Sequence, residues 1–193
     1  MMVDYKSIKE SFELDGAFQL KRLYYPDHIH EIGHLRIKSW KNEHGVDPQF
    51  FSQDYWLEHF DETAVHWAIM LGDRVVACSR LTIHQSLDEA PYSDILLGLN
   101  LPQMLPPISC INRLVVDPSY RGNGFSKILD VARIVTAIEE KVNYIIAEPQ
   151  DDRILPLTKL GFQKISDIDR IPEIPDRHFS LMLLNLNVYH NEK

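Results

Sequence analysis

The sequence predicts an α/β fold in which helices flank a sheet of mixed strand direction. Three observations carry this expectation. AVHWAIM and RVVACSRLTI sit either side of Leu71-Gly72-Asp73, which reads as a hairpin around a Gly-bearing turn. SCINRLVVD and VNYIIAE are separated by KILDVARIVTAIEEK, an amphipathic stretch that reads as a crossover helix. Local hairpins and crossover helices in one chain of 193 residues, enough for one full core, indicate a mixed sheet.

The elements follow in order. AFQLKRL, residues 17 to 23, alternates as a strand. Pro26 opens a helical pattern through Trp40, with Ile29, Ile32 and Ile37 inward. A second helix is expected after Asp47-Pro48, through FFSQDYWLEHF, and the hairpin comes next. Residues 85 to 108 break the rhythm with four prolines, as a pocket-lining insertion or a surface excursion would. SCINRLVVD restores a strand. A Gly-bearing turn, the crossover helix and the strand VNYIIAE follow. DDRILPLTKLG is a short helix closed by Gly161 as its C-cap. Phe162 begins a further strand, and the acidic, Pro-rich SDIDRIPEIPD leads to a last strand, HFSLMLLNL. No internal repeat divides the chain, so residues 1 to 193 are expected to form one domain with an insertion-like loop at 85 to 108.

Composition narrows the function classes. Hydrophobic residues make up 45% and charged residues 25%, as in an ordinary globular protein. The formal net charge of −8 argues against nucleic acid as a partner, because phosphate binding needs a basic face. The two cysteines, Cys78 and Cys110, are too few for a disulfide framework or a Cys-rich metal site. No apolar run approaches the roughly 18 residues that span a membrane, and no signal peptide is evident. The expectation is a cytoplasmic protein with reduced thiols and no membrane partner.

HEIGH, residues 30 to 34, matches the zinc-peptidase pattern H-E-x-x-H, with His28 close by. On a helix, His30 and His34 would share a face, with Glu31 as general base. A third ligand is lacking. The positions that carry Gly and His in one branch of such enzymes hold Ile37 and Trp40. Glu58 and Glu62 are candidates only because the chain is rich in acids. The expectation is therefore no metal, with a zinc peptidase as a distant alternative.

LVVDPSYRGNGFSKIL, residues 114 to 129, carries the strongest signal. A β-branched strand ends at Asp117-Pro118. A turn with Arg121, Gly122 and Gly124 follows, and a helix with inward Ile128, Leu129, Ala132 and Val135 begins at once. Glycines let successive N–H groups converge, and a helix N-terminus adds unpaired donors and partial positive charge. With Arg121 they make an anion cradle the size of a pyrophosphate. The plain alternative is a strand-to-helix turn. The missing G-K-[ST] excludes a P-loop, and the missing third Gly excludes a dinucleotide fingerprint.

R-G-N-G-F-S, residues 121 to 126, resembles the [Q/R]-x-x-G-x-[G/A] loop of the GCN5-related N-acetyltransferase (GNAT) family. RLVVDPSY resembles that family's fourth strand, and K-L-G-F at 159 to 162 its frequent Y-x-K-L-G-F ending. AVHWAIMLGDRVVACSRL resembles its second and third strands. The resemblance implies a mixed, mostly antiparallel central sheet flanked by helices. It implies acetyl-coenzyme A, or another acyl-coenzyme A, as co-substrate and a small-molecule or peptide amine as acceptor. A homodimer is compatible with it. Pyrophosphate would rest on Arg121, Gly122, Asn123, Gly124, Phe125 and Ser126. The pantetheine arm would lie along Leu114, Val115 and Val116, with Gln150 where an Asn often contacts the cofactor.

Departures concern the chemistry. Leu157 stands where many members carry a Tyr that protonates the leaving thiolate, and Cys110 where some carry a Glu base. Candidate proton acceptors are Glu148, His84 and Cys110, with relay through water as a fourth route. Trp40, Trp56 and His84 are candidates for the acceptor pocket. An acyl-homoserine-lactone-synthase-like enzyme and a non-catalytic acyl-coenzyme A-binding module on the same fold are the alternatives.

Overall fold

The structure, a computed structural model, describes residues 3–12 and 14–190. Seven strands form one sheet: β1 (Phe18–Leu23), β2 (Val65–Leu71), β3 (Arg74–His84), β4 (Ile108–Val116), β5 (Tyr144–Ala147), β6 (Gln163–Ile168) and β7 (Phe179–Asn185). Their order is β1-β2-β3-β4-β5-β7-β6. β4 and β5 pair in parallel, and the other neighbours pair antiparallel. The expected mixed, mostly antiparallel sheet is what forms.

Among the described residues six α-helices accompany it: α1 (Tyr5–Glu10), α2 (Ile29–Trp40), α3 (Ser93–Leu97), α4 (Phe125–Glu139), α5 (Asp151–Lys159) and α6 (Asn187–His190). Helix α4 buries Ile128, Leu129, Ala132 and Val135 in one core, shared with Tyr5 of α1 and Leu157 of α5. Helix α2 buries Ile29, Ile32 and Ile37, as its periodicity predicts. It covers β3 and β4. Gly161 closes α5 at φ +91°, a left-handed conformation that suits glycine, and Phe162 N–H returns to Leu157 O at 3.1 Å.

The expected helix after Pro48 does not form. Two short 3₁₀ turns, Phe50–Ser52 and His59–Glu62, bracket a segment docked on α2. Trp56 N–H donates to Gly33 O at 3.1 Å, and the indole is buried beside Phe51 and Ile37. A Cβ on Gly33 would lie 3.0 Å from Leu57 Cγ, so glycine permits this approach. Tertiary docking overrides the local helical pattern. The short helices α1, α3 and α6 lie outside the expected element order. α3 belongs to the insertion, where Leu96 is fully buried against the sheet.

Two interruptions in β4 create the site. First, Ser79 alone on β3 faces both Arg113 and Leu114, because the register steps from Cys78↔Val115 to Arg80↔Asn112. Arg113 takes φ +53° in this bulge. Second, the β4–β5 pairing ends at Ile111↔Ala147. Beyond it the chain after β5 follows β7 instead, with Ser180 N–H donating to Pro149 O at 2.9 Å. The sheet therefore opens between the second half of β4 and residues 148 to 150.

Candidate active site

The opening leads into a cavity of about 420 Å³. One wall is main chain. Asp117 N–H donates to Val76 O at 2.9 Å, and antiparallel ladders alternate. Val115 therefore directs its polar groups to β3. Val116, and Leu114 two residues before it, direct theirs toward the opening. Ser39 Oγ reaches Val116 O at 3.5 Å, the limit of a hydrogen bond.

At the end of that wall stands the glycine turn. Gly122 has φ +87° and Gly124, the N-cap of α4, φ +73°. A Cβ built on either meets nothing within 4 Å, so open space fronts the turn. The first N–H groups of α4 have no helical acceptor and face this space with the helix's positive end. Arg121 bonds Glu43 at 2.9 Å, and Arg177 bonds the same carboxylate at 3.2 Å. Arg177 also donates to Gln150 Oε1 at 2.7 Å. Two guanidiniums on one carboxylate leave this end positive. The convergent donors, the open cradle and the excess charge fit a diphosphate-bearing co-substrate such as coenzyme A. Leu114, Val115, Val116, Arg121, Gly122, Gly124, Phe125, Ser126 and Gln150 all line the cavity. Asn123 does not; its side chain caps Tyr120 O within the turn, at 2.8 Å.

The opposite end is held by side chains. The bulge aims Arg113 across the cavity, where it binds both carboxylate oxygens of Glu58 at 2.7 and 2.8 Å. It also donates to Glu173 at 3.2 Å and the Tyr92 hydroxyl at 2.7 Å, and stacks 4.0 Å from the Trp56 ring. One guanidinium thus ties together the segment before β2, the insertion and the β6–β7 loop. Behind it, Arg36 makes a bidentate pair with Asp61 at 2.9 Å. Arg80 reaches Asp61 at 3.2 Å and Glu58 at 2.8 Å. Burial alone would raise the Glu58 carboxyl; Arg113, then Arg80 and Arg36, overcome it and hold it down at about 2. Burial likewise opposes ionisation of Asp61, and Arg36 and Arg80 keep it well below the ordinary carboxylate range.

Glu148 stands where the sheet divides. Both of its carboxylate oxygens are shielded from solvent and lack a hydrogen-bond partner. Burial pushes its pKa up to about 7, against the downward pull of Arg113 and Arg80. It lines the cavity, as do Trp40, Trp56 and Leu157. The other two sequence candidates stand apart from the lining. His84 Nε2 lies 2.8 Å from Thr82 Oγ1, and burial lowers the pKa of its ring. Cys110 is fully buried, and burial, then the Glu148 charge, holds its thiol far above its ordinary value.

HEIGH forms the first turns of α2. His34 Nδ1 contacts Asp54 O at 2.7 Å. Glu31 bonds His28 at 2.8 Å and accepts from Val75 N–H at 3.3 Å. Among the described residues no group of three His, Cys, Asp or Glu side chains converges as a metal site. No helix of the described residues is long and apolar enough to cross a membrane.

Sequence reasoning missed Arg113, Glu58, Tyr92 and Glu173. One signal was present. Asn112-Arg113 interrupts an otherwise apolar strand with two consecutive polar residues, which breaks the two-residue alternation and marks a bulge.

Known structures share this architecture. Arylalkylamine N-acetyltransferase 2 from Aedes aegypti superposes with a TM-score of 0.67 at 16% identity, over 88% of this chain and 99% of that one. A coenzyme A-dependent acyl-homoserine lactone synthase, solved with SAM and isopentyl-CoA, gives 0.65 at 16%, over 90% and 88%. An N-acyl amino acid synthase from uncultured soil microbes gives 0.64 at 12%, over 91% and 94%. Nothing among curated protein sequences matches this chain. The profile of the acetyltransferase (GNAT) family matches residues 29–162, and the chain belongs to that family.

Proposed function

We propose that the protein is an N-acyltransferase that moves an acyl group, acetyl in the simplest case, from acyl-coenzyme A to a primary amine of a small molecule or peptide. Acyl-coenzyme A supplies an activated thioester. The main chain of Leu114 and Val116 would hold the pantetheine arm as an added strand, and residues 121 to 126 would hold the diphosphate. Amine attack forms the C–N bond, and the C–S bond breaks with release of the thiolate.

The observation that carries this reading is the Glu148 carboxylate. It is shielded, unpartnered and placed where the cofactor wall meets the acceptor end. A base with a pKa near 7 is matched to accepting the ammonium proton at neutral pH, an effect worth about 10²–10⁴-fold. With Leu157 in place of an acidic hydroxyl, the thiolate takes its proton from solvent; a free thiol's pKa is about 8.5.

The test is thiol release with acetyl-coenzyme A and a panel of amines, followed against pH. Wild-type kcat/KM should fall as pH drops through about 7, where Glu148 gains its proton. Glu148→Gln should lower it by about 100-fold and remove that inflection. An unchanged profile in the folded variant overturns the assignment of the base.

A further inference from the structure

The acceptor end carries a charge balance that selects among amines. Three guanidiniums, Arg36, Arg80 and Arg113, face three carboxylates, Glu58, Asp61 and Glu173. Arg113 spends its donors on Glu58, Glu173 and the Tyr92 hydroxyl. Arg36 is committed to Asp61 and the Trp56 carbonyl. The cluster is neutral as a unit. Glu148 is the carboxylate left over, so this end of the cavity is net negative when Glu148 is ionised. Surplus positive charge lies elsewhere on the lining: Arg121 and Arg177 share Glu43 beside Gln150, and Arg133 and Arg153 share Asp130 between α4 and α5, whereas the cations that act on Glu148 are Arg113 and Arg80.

Apolar side chains form part of the same cavity lining. Ile171 and Ile174 come from the β6–β7 loop and Phe179 from the start of β7; all three are buried. Trp56 and Tyr92 complete it. An ammonium would find its counter-charge in Glu148. A carboxylate on the same molecule would sit beside Glu148 where Arg36 and Arg113, the lining cations at this end, are already paired with carboxylates, and would lose its hydration without a free counter-charge.

We propose that the acceptor is a primary amine with an apolar or aromatic arm and no carboxylate, its ammonium at Glu148 and its arm against Ile171, Ile174 and Phe179. This rests on the acyltransfer reading and deepens it. It separates amines and amidated peptides from free amino acids, two classes that the fold alone does not distinguish.

Three matched compounds isolate the carboxylate: 2-phenylethylamine, phenylalaninamide and phenylalanine, each offered with acetyl-coenzyme A while thiol release is followed. The first two should exceed phenylalanine in kcat/KM by on the order of 100-fold. Ethanolamine, which lacks the apolar arm, should fall below 2-phenylethylamine by about 10-fold or more. Calorimetric titration with coenzyme A alone runs beside them. If coenzyme A binds and phenylalanine equals or exceeds its decarboxylated analogue, the inference is overturned and acyl transfer stands. Equal use of ethanolamine overturns the apolar-arm assignment in the same way. If coenzyme A does not bind, both readings fall.

Discussion

The two ends of the cavity are built from different materials. The end assigned to the cofactor is main chain: alternate polar groups of β4, a glycine turn and the start of α4. The acceptor end is side chain: one arginine in a bulge, gripping carboxylates 55 and 60 residues away in sequence. Main-chain recognition needs little from side-chain identity beyond two glycines that can hold positive φ. Side-chain recognition needs each partner in place, because a buried charge that loses its counter-charge is left uncompensated. The difference predicts how each end fails.

The largest effect should come from Arg113→Met. It strands Glu173 and leaves Glu58 with Arg80 alone, in a site where both carboxylates remain largely out of solvent. Urea denaturation should show a loss of about 3–5 kcal/mol at pH 7. The sign with pH follows from Glu58. Its folded pKa lies below the ordinary 4.5, so its stabilisation is present above 4.5 and lost as pH falls toward about 2. The gap between wild type and variant should therefore narrow in acid. A loss under 1 kcal/mol would mean that the network does not hold this end together.

Glu148→Gln should act in the opposite direction on stability. The folded pKa of Glu148 is raised from 4.5 to about 7, so the folded state keeps a proton that the unfolded chain has released. Stability falls as pH rises through that window. The glutamine variant should be more stable than wild type by about 1–3 kcal/mol at pH 8, with little difference below pH 4.5. Thermal melts at the two pH values read this directly. If Glu148 is the proposed base, that gain should accompany the loss of turnover.

Gly124→Val tests the main-chain end. The cavity has room for the side chain, because a Cβ meets nothing within 4 Å; the strain comes from φ +73°. A β-branched residue there should cost about 1–2 kcal/mol and displace the turn. Calorimetry should show coenzyme A affinity falling by about 10-fold or more, while phenylethylamine use by any remaining complex keeps its preference over phenylalanine. Loss of that preference would show that the two ends are not separable.

Leu157→Tyr should matter least for chemistry. Leu157 is buried in the core beneath α5, where a larger ring must displace neighbours. Turnover should stay within about threefold of wild type. A tenfold gain, about 1.4 kcal/mol of barrier, would show that thiolate protonation limits the reaction.

The same contrast explains what was legible in the sequence. The loop Arg121–Ser126 and the strand Leu114–Val116 are contiguous, so their spacing alone places them at one helix terminus and one strand end. Glu148 directly follows an apolar strand, which makes it a candidate from sequence, and the fold brings it to the cavity. The helix faces of α2 and α4 were readable from periodicity, and the end of α5 from Gly161. The helix expected over residues 50 to 60 does not form because Trp56 docks against Gly33, a contact no local pattern encodes. The acceptor end was hidden for the same reason. Nothing local joins Glu58, Tyr92 and Glu173, and the positive φ of Arg113 belongs to a bulge set by the pairing of β3 with β4.

The alternation along β4 should also be visible to isotope exchange. In the ligand-free protein Val115 has its amide bonded to a neighbouring strand, whereas Leu114 and Val116 turn theirs toward the opening. Backbone deuteration should therefore follow a fast-slow-fast order over three consecutive residues, within an element that is otherwise slow. An added strand-like ligand should convert that order to uniformly slow, and a ligand confined to the acceptor end should leave it unaltered. Three amide signals would then act as an internal recorder of which half of the cavity is filled.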